Sequence, residues 1–380
     1  SDYKKAFFNK QILIFFLLFS IYIGFNAFIQ IPSNLKYSSI FHFRYFLFLI
    51  AVFFFFEKYY HIKFNKNLIL SIFFLTLITL FFDSFFQFFV GENIFGQKLL
   101  KYRVSSFFGD DLILGSFLIR LLPIILWYLF YLRIDINQNK FYSIIFFSLY
   151  FSVIYLSGER TAFALLIGFI LLSTIFISEL RNILIKSTII FSIFITFNAN
   201  LDLGKTDITH RMFIKTYKQV FNQNIISENK IEYKDNNFVK VIKSVNVFSN
   251  HHQGHLIVAK NLFQENPIFG VGPKGFRHFC RSVDYDPEEG ICSTHPHNIL
   301  AQTLSEIGLI GLFFYLAFIT FLIKYTLLIK NKDNNKFESN SFLVISIGIL
   351  IHLFPILPSG NFFNNWISSF IYFKIGLLLY

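Results

Sequence analysis

The residues best suited to chemistry are concentrated between Pro267 and Gly311, in PIFGVGPKGFRHFCRSVDYDPEEGICSTHPHNILAQTLSEIGLIG. Here glycines, both cysteines, three histidines, basic residues and glutamates adjoin an apolar helical run. In His295-Pro296-His297-Asn298 a polar segment gives way to that run, and a neutral imidazole at such a place can take the proton of an attacking hydroxyl. Asn298 has the side chain of a helix N-cap. Glu306, on the same helix, can orient the site or balance its charge. An HxH pair helped by His251, His252 and His255 is alternatively a metal site, although the chain lacks a Cys/His/Asp spacing characteristic of zinc. A loop histidine without a chemical role is the third reading.

Basic residues supply a second kind of chemistry. Lys98, Lys101, Arg103, Arg160, Arg211, Lys274, Arg277 and Arg281 share one expected side of the chain. Guanidinium groups match phosphate oxygens bidentately, so several converging on a cavity would hold a pyrophosphate; solvated or headgroup-contacting charges are the plain alternative. Arg120 lies about nine residues into an apolar run, where an unpartnered charge costs about 2.5–3.5 kcal/mol. It should face a helix-bundle interior and have a partner, with Asp83, Asp110 or Asp111 as candidates for an ion pair and an anionic ligand as the alternative. Gly270-Val271-Gly272-Pro273-Lys274-Gly275 reads first as a tight turn and second as a phosphate cradle.

The elements that must position these residues are apolar. Runs at about 11–31, 40–56, 68–90, 111–132, 141–157, 161–178, 183–199, 299–328, 341–357 and 366–380 read as ten membrane-spanning helices. Lys4, Lys5, Lys10, Lys58, Lys63, Lys66, Arg133, Lys140, Arg181, Lys186, Lys330, Lys332 and Lys336 fall in alternate connections, and the positive-inside rule makes those cytoplasmic, together with the N-terminus. The opposite face receives the Gly91–Asp111 and Leu357–Asn365 loops, the Ser157-Gly158-Glu159-Arg160 turn and one long segment. The expected organisation is therefore a seven-span bundle over 1–199, a large extracytoplasmic loop over 200–297, and three spans over 298–380. Thr209–Asn224 and Gly254–Glu265 within the loop have helical, amphipathic spacing, the second stopped by Pro267. The stretch up to about Asn250 is polar and aperiodic, and reads as a lid or excursion. Cys280 and Cys292 fall on the extracytoplasmic side, where a disulfide closing the short acidic loop of Asp284, Asp286, Glu288 and Glu289 is expected, with free thiols as the alternative.

Composition supports this architecture. Of 380 residues 54% are hydrophobic and 15% charged, and the mean hydropathy is +0.55, more apolar than a soluble domain of this length needs. The 58 Phe fill lipid-facing and core positions, so no single one marks a site. A net charge of +12 would suggest nucleic acid for a soluble protein; here it follows the sidedness of the loops, and no nucleic-acid partner is expected. Ser1 and Tyr380 leave either terminus open to trimming, and the first apolar run lacks the cleavage site of a signal peptide. No internal repeat is visible.

Taken in order, RVSSFFGDDLILGSFLIRLLP (103–123), SGERTAF (157–163), HRMF (210–213), ENPIFGVGPKGFRHFC (265–280) and CSTHPHNILAQTLSEIGLIG (292–311) resemble the O-antigen ligase and polymerase superfamily of bacterial envelope glycosyltransferases. The resemblance runs from about 100 to 380. It implies a multi-span inner-membrane protein with a large periplasmic loop, acting without metal, cofactor or nucleotide sugar on a glycan carried by undecaprenyl pyrophosphate. By position it makes His297 the general base and gives Arg160 and Arg211 the pyrophosphate, with Arg103, Arg120 and His295 behind them; the residues themselves add Lys274, Arg277 and Glu306 as expected substrate-binding positions. The expected activity is ligase-type transfer to lipid A-core. A polymerase extending a lipid-linked repeat shares donor and chemistry and differs in acceptor. A lipid-linked-glycan flippase or other transporter, which should carry paired polar or broken helices near the midplane, and a sensor or scaffold are the readings from other classes.

Overall fold

The computed structural model describes residues 2–32, 37–59, 66–100, 102–201, 204, 207–221, 250–280, 292–330 and 336–380. Lys63, Lys101, the polar stretch before Asn250, Arg281, Asp284, Asp286, Glu288, Glu289 and Lys332 lie outside the described residues, as do the side chains of Lys4, Lys5, Lys66, His251 and Lys330.

Each of the ten apolar runs is helical, and no strand forms among the described residues. Among the described residues six helices are long and apolar enough to cross a membrane: Phe8–Gln30, Ser38–Lys58, Leu68–Val90, Leu114–Tyr131, Ser178–Leu201 and Ile299–Leu328. Lys140–Leu156, Arg160–Phe176 and Asn365–Leu379 are shorter apolar helices, and Lys336–His352 accounts for the tenth run. Apolar side chains line both faces of the first helix: Phe16, Phe19, Ile23 and Ala27 are buried, while Leu18, Ile21, Phe25 and Phe28 are exposed. Such outward apolar faces suit hydrocarbon, and the chain is a membrane protein.

The helices gather into two compact units that cut across chain order. One comprises 1–60, 219–325 and 352–380, the other 61–218 and 326–351. In the first, Arg44–Tyr59 packs along Asn365–Leu379, where Gly376 lets the helices approach so closely that a Cβ would lie 2.8 Å from Val52. Phe16 and Phe19 of the first helix meet Phe318 and Phe314 at ring-centroid distances of 5.1 and 5.4 Å.

The helix Ile299–Lys330 is broken at Gly308, whose φ of 64° and ψ of −163° fall in a region essentially reserved for glycine. The segment after Pro267 serves as its splint. Leu309 N donates to Pro267 O at 2.9 Å and Val271 N to Ser305 O at 2.8 Å, while the Tyr22 hydroxyl donates to Ile307 O and Asn26 Nδ2 to Phe269 O at 2.6 Å. Within a membrane each unsatisfied backbone group costs several kcal/mol, so a broken helix persists only where neighbours supply such partners. This break fixes the glycine turn beside the helix that follows the histidines.

In the second unit Lys140–Leu156 and Arg160–Phe176 both pack on Ser178–Leu201, and Leu114–Tyr131 packs on the first two. Buried Asp83 and Gln87, on Lys66–Val90, organise the loop beyond that helix. Asp83 accepts from Ile94 N and from the Ser106 hydroxyl, and Gln87 Oε1 accepts from Ser105 N and Ser106 N. This corrects the expectation for Asp83: its carboxylate is engaged by the loop backbone and Ser106, while the carboxylate whose field acts on Arg120 is Glu159.

Candidate functional site

In the second unit the site is built on the Ser157-Gly158-Glu159 turn. Glu159 precedes the helix Arg160–Phe176, and its carboxylate receives Gly115 N at 2.8 Å, Ser116 N at 3.2 Å and the Ser116 hydroxyl. It thereby caps the neighbouring helix Leu114–Tyr131, whose own Ile113 offers no capping side chain. Arg103 approaches the same carboxylate at 3.6 Å and donates through Nε to Ser157 O (3.0 Å) and through Nη2 to Leu112 O (2.7 Å). From the other flank Arg211 Nε donates to Gly158 O at 3.0 Å. A Cβ on Gly158, at φ +63°, would lie 2.9 Å from Arg103 Cγ and 3.3 Å from Arg211 Cδ, so glycine is what lets the two side chains grip the turn.

Arg211 belongs to a π-helical turn, His210–Ile214, that opens the helix Lys215–Phe221; such turns re-aim side chains and recur at functional sites. Neighbouring Thr209 is fixed by Tyr155 and Asn198. Arg160 Nη1 reaches Thr216 Oγ1 at 3.4 Å. Burial, then Arg160, draw the Arg211 guanidinium below its ordinary pKa, with Glu159 opposing. Arg103 is lowered by burial and by Arg211, against Glu159. Arg103 and Arg211 thus share the field of one carboxylate, Glu159, and among the described residues the two leave positive charge that an anion would balance. Among the described residues no bond reaches the Nη atoms of Arg211. Arg120, 6% exposed, donates to Ser116 O at 2.8 Å and braces the turn that Glu159 caps. Lys98 is exposed and pairs across a bridge with Glu92.

In the first unit the site is built on histidines. Cys280 and Cys292 form a disulfide with Cα atoms 5.6 Å apart, and the chain after Cys292 is held residue by residue. Ser293 Oγ lies 3.0 Å from His297 Nε2. His295 Nε2 donates to Ser359 O at 3.1 Å, leaving Nδ1 to accept from the Thr294 hydroxyl at 3.1 Å. His297 adopts φ +53°, a left-handed conformation uncommon for a residue with a Cβ, and its carbonyl accepts from Ser359 N at 2.8 Å. Asn298 caps the next helix through Ala301 N at 3.0 Å and donates to Pro355 O at 2.7 Å.

His252 and His255 lie three residues apart on the helix Asn250–Glu265 and bring their rings within 5.2 and 5.1 Å of His297; His295 is 4.0 Å away. Burial, then the three neighbouring imidazoles, hold His297 down to about 3. Burial holds His295 down to about 4, although the Ser359 carbonyl favours its protonated form. Both rings are therefore neutral near pH 7. No group of three or more metal-ligating side chains among the described residues is placed to bind an ion.

Glu306, fully buried, is a bracket for the neighbouring turn. It accepts from Phe276 N at 3.2 Å and from the Gln302 amide at 2.8 Å, and Gln302 in turn reaches Asn361 Oδ1 at 2.7 Å. Lys274 and Arg277 belong to this turn and its one-turn helix Phe276–Phe279. Sequence reasoning named the arginines and histidines but missed the residues that aim them: Glu159, Ser293, Ser359, Gln302 and Asn361. Only Glu159 left a signal, as an acid wedged between glycine and arginine at a helix start.

Residues 145–316 match a family model described as O-antigen ligase. That stretch includes Arg160, Arg211, Lys274, Arg277, His295, His297 and Glu306, and excludes Arg103 and Arg120. No curated protein and no solved structure matches the chain.

Proposed function

With residues 145–316 an O-antigen ligase family domain, we propose that this protein transfers a glycan from undecaprenyl pyrophosphate to an acceptor hydroxyl at the periplasmic face of the inner membrane. The acceptor is lipid A-core, and the ten helices cross the bilayer with the N-terminus in the cytoplasm. The observation that carries the reading is His297: a neutral imidazole in a left-handed backbone position, buttressed by Ser293 and three further imidazoles.

In the reaction the acceptor oxygen attacks the anomeric carbon while the bond from that carbon to the pyrophosphate oxygen breaks. His297 takes the hydroxyl proton. The bonding pair leaves with undecaprenyl pyrophosphate, whose added negative charge is met by Arg160 and Arg211 and backed by Arg103. A single in-line displacement inverts the anomeric centre. An imidazole held at low pKa is a weak base in the free protein, but hydroxyl acidity rises steeply as the bond to carbon forms, and the proton then moves downhill. Arg120 and Glu159 position the arginine-bearing turn, and His295 orients the loop through Ser359. The catalytic step assigns no role to a metal or cofactor.

The test is transfer from undecaprenyl-pyrophosphate-linked glycan, with lipid A-core and a lipid-linked repeat offered in parallel and EDTA throughout. The expected product is glycosylated lipid A-core, lost by about 10²–10⁴-fold in His297→Ala. Elongation of the lipid-linked repeat instead would make the protein a polymerase. Transfer to neither, by folded protein given its native glycan, would reject the transferase reading.

A further inference from the structure

The proposed reaction joins two lipid-anchored substrates, and Arg103, Arg160 and Arg211 account for the anion of one. A second group of cations lies in the other compact unit. Lys274 sits at φ +64° on the glycine turn, and its Nζ reaches Ser38 Oγ at 3.4 Å, while Ser39 Oγ donates to Pro273 O at 2.8 Å. The turn is thus fastened to the segment leading into the helix Arg44–Tyr59. Arg44 opens that helix, exposed at its end; it lies 5.0 Å over the Tyr45 ring and is anchored by a 2.8 Å bond to Asn365 Oδ1. Arg277, three residues after Lys274, has a buried Nε with no hydrogen-bond partner among the described residues.

None of these three cations has an ion pair among the described residues, where the only one is Arg103–Glu159. The nearby acid Glu306 is buried and bound to the turn's backbone and to Gln302. Burial, then Arg277 and Arg44, draw the Lys274 ammonium below its ordinary pKa, with Glu306 opposing. These charges feel one another and have no counter-ion among the described residues, although each is held by a specific contact or by partial burial. A phosphate presents three oxygens to an ammonium and two guanidiniums, which is the donor set this cluster offers.

We propose that Arg44, Lys274 and Arg277 form a second anion site, which holds the phosphate of the lipid-anchored acceptor and leaves the donor pyrophosphate to Arg160 and Arg211. The assignment rests on the transferase reading. It also gives a reason for a basic group on each compact unit: two anionic substrates must be held at once without exchanging places.

The experiment uses the full chain in lipid nanodiscs, with Arg44→Gln, Lys274→Gln and Arg277→Gln, and with Lys274→Arg as the charge-retaining control. The expected result is a rise in acceptor KM of about tenfold for each charge removed, equivalent to about 1.4 kcal/mol, with donor KM and kcat held and Lys274→Arg close to wild type. Dephosphorylated acceptor should show the raised KM already in the wild type, with no further loss in the variants. Inorganic phosphate should compete with acceptor if the free anion suffices; competition by phosphorylated lipid alone would assign the site to the lipid-borne group. Unchanged acceptor KM in all three variants, or a rise in donor KM instead, overturns the proposal. Should the wild type transfer nothing, binding of phosphorylated against dephosphorylated acceptor by native mass spectrometry still reads the site. Preference for the phosphorylated form, lost in Arg277→Gln, supports it, and equal binding rejects it whatever the reaction proves to be.

Discussion

Around Gly158 the guanidiniums of Arg103 and Arg211 are gathered about one carboxylate, whereas around His297 four imidazoles stand together and two of them, His295 and His297, are kept neutral. The arginines are aimed by carbonyl oxygens of a tight turn: Arg103 by Ser157 and Leu112, Arg211 by Gly158. These bonds engage only part of each fork, so charge remains available to a ligand. The histidines are positioned by three segments distant in sequence, 252–255, 292–297 and 359, and burial removes the charge of His295 and His297. A group that must hold a charged ligand retains its own charge by local backbone solvation. One that must accept a proton is desolvated and waits uncharged.

The largest effect that would test this contrast is on the arginine side. Arg211→Lys keeps the charge but loses the planar fork and the Nε bond to Gly158, and transfer should fall by about 10²–10³-fold, mainly in kcat. A lysine variant with wild-type kcat would show that Arg211 is a diffuse charge and the turn's grip irrelevant. Next comes the splint shared by the histidine helix and the glycine turn. Gly308→Ala forces a Cβ into a glycine-only conformation, 2.7 Å from Phe269 N, and should cost at least about 3 kcal/mol. Loss of thermal stability with transfer impaired in proportion is expected; an unaltered melting temperature would mean the break can close into regular helix.

The smallest effect separates the clusters by pH. His295 and His297 are held to about 4 and about 3 in the folded protein, against roughly 6.5 when unfolded. The unfolded chain therefore binds more protons on acidification. Stability should be full above about pH 6.5, decline as pH falls through that value, and level off near pH 3–4. Guanidiniums stay protonated throughout this range and contribute no such slope. Melting temperatures of wild type and His297→Asn between pH 8 and 5 should diverge, the wild type losing more; parallel curves would reject the buried neutral imidazole.

Much of this was legible in residue order. Apolar runs announced ten of the helices, because the burden of satisfying backbone in hydrocarbon leaves a helix as the only local solution. Pro267 ended one helix and Asn298 began another as their side-chain chemistry requires. Asp83 misled for the same reason that it was noticed. An acid in an apolar run needs a partner, but sequence does not say which, and loop backbone and Ser106 met that need.

By itself the sequence determined the helices, the apolar surfaces, the polar segments between them and the residue types able to bind phosphate or accept a proton, since these follow from local spacing and transfer free energy. Only the tertiary structure decided which of those residues stand together. It set Arg211 and Arg103 on either side of Gly158, gathered His252 and His255 around His297, turned Glu306 into a bracket for a distant turn, and gave Arg44 the company of Lys274. Such contacts span up to several hundred residues, and their selection depends on how whole helices pack, where a broken helix finds its splint and which side chain loses its water.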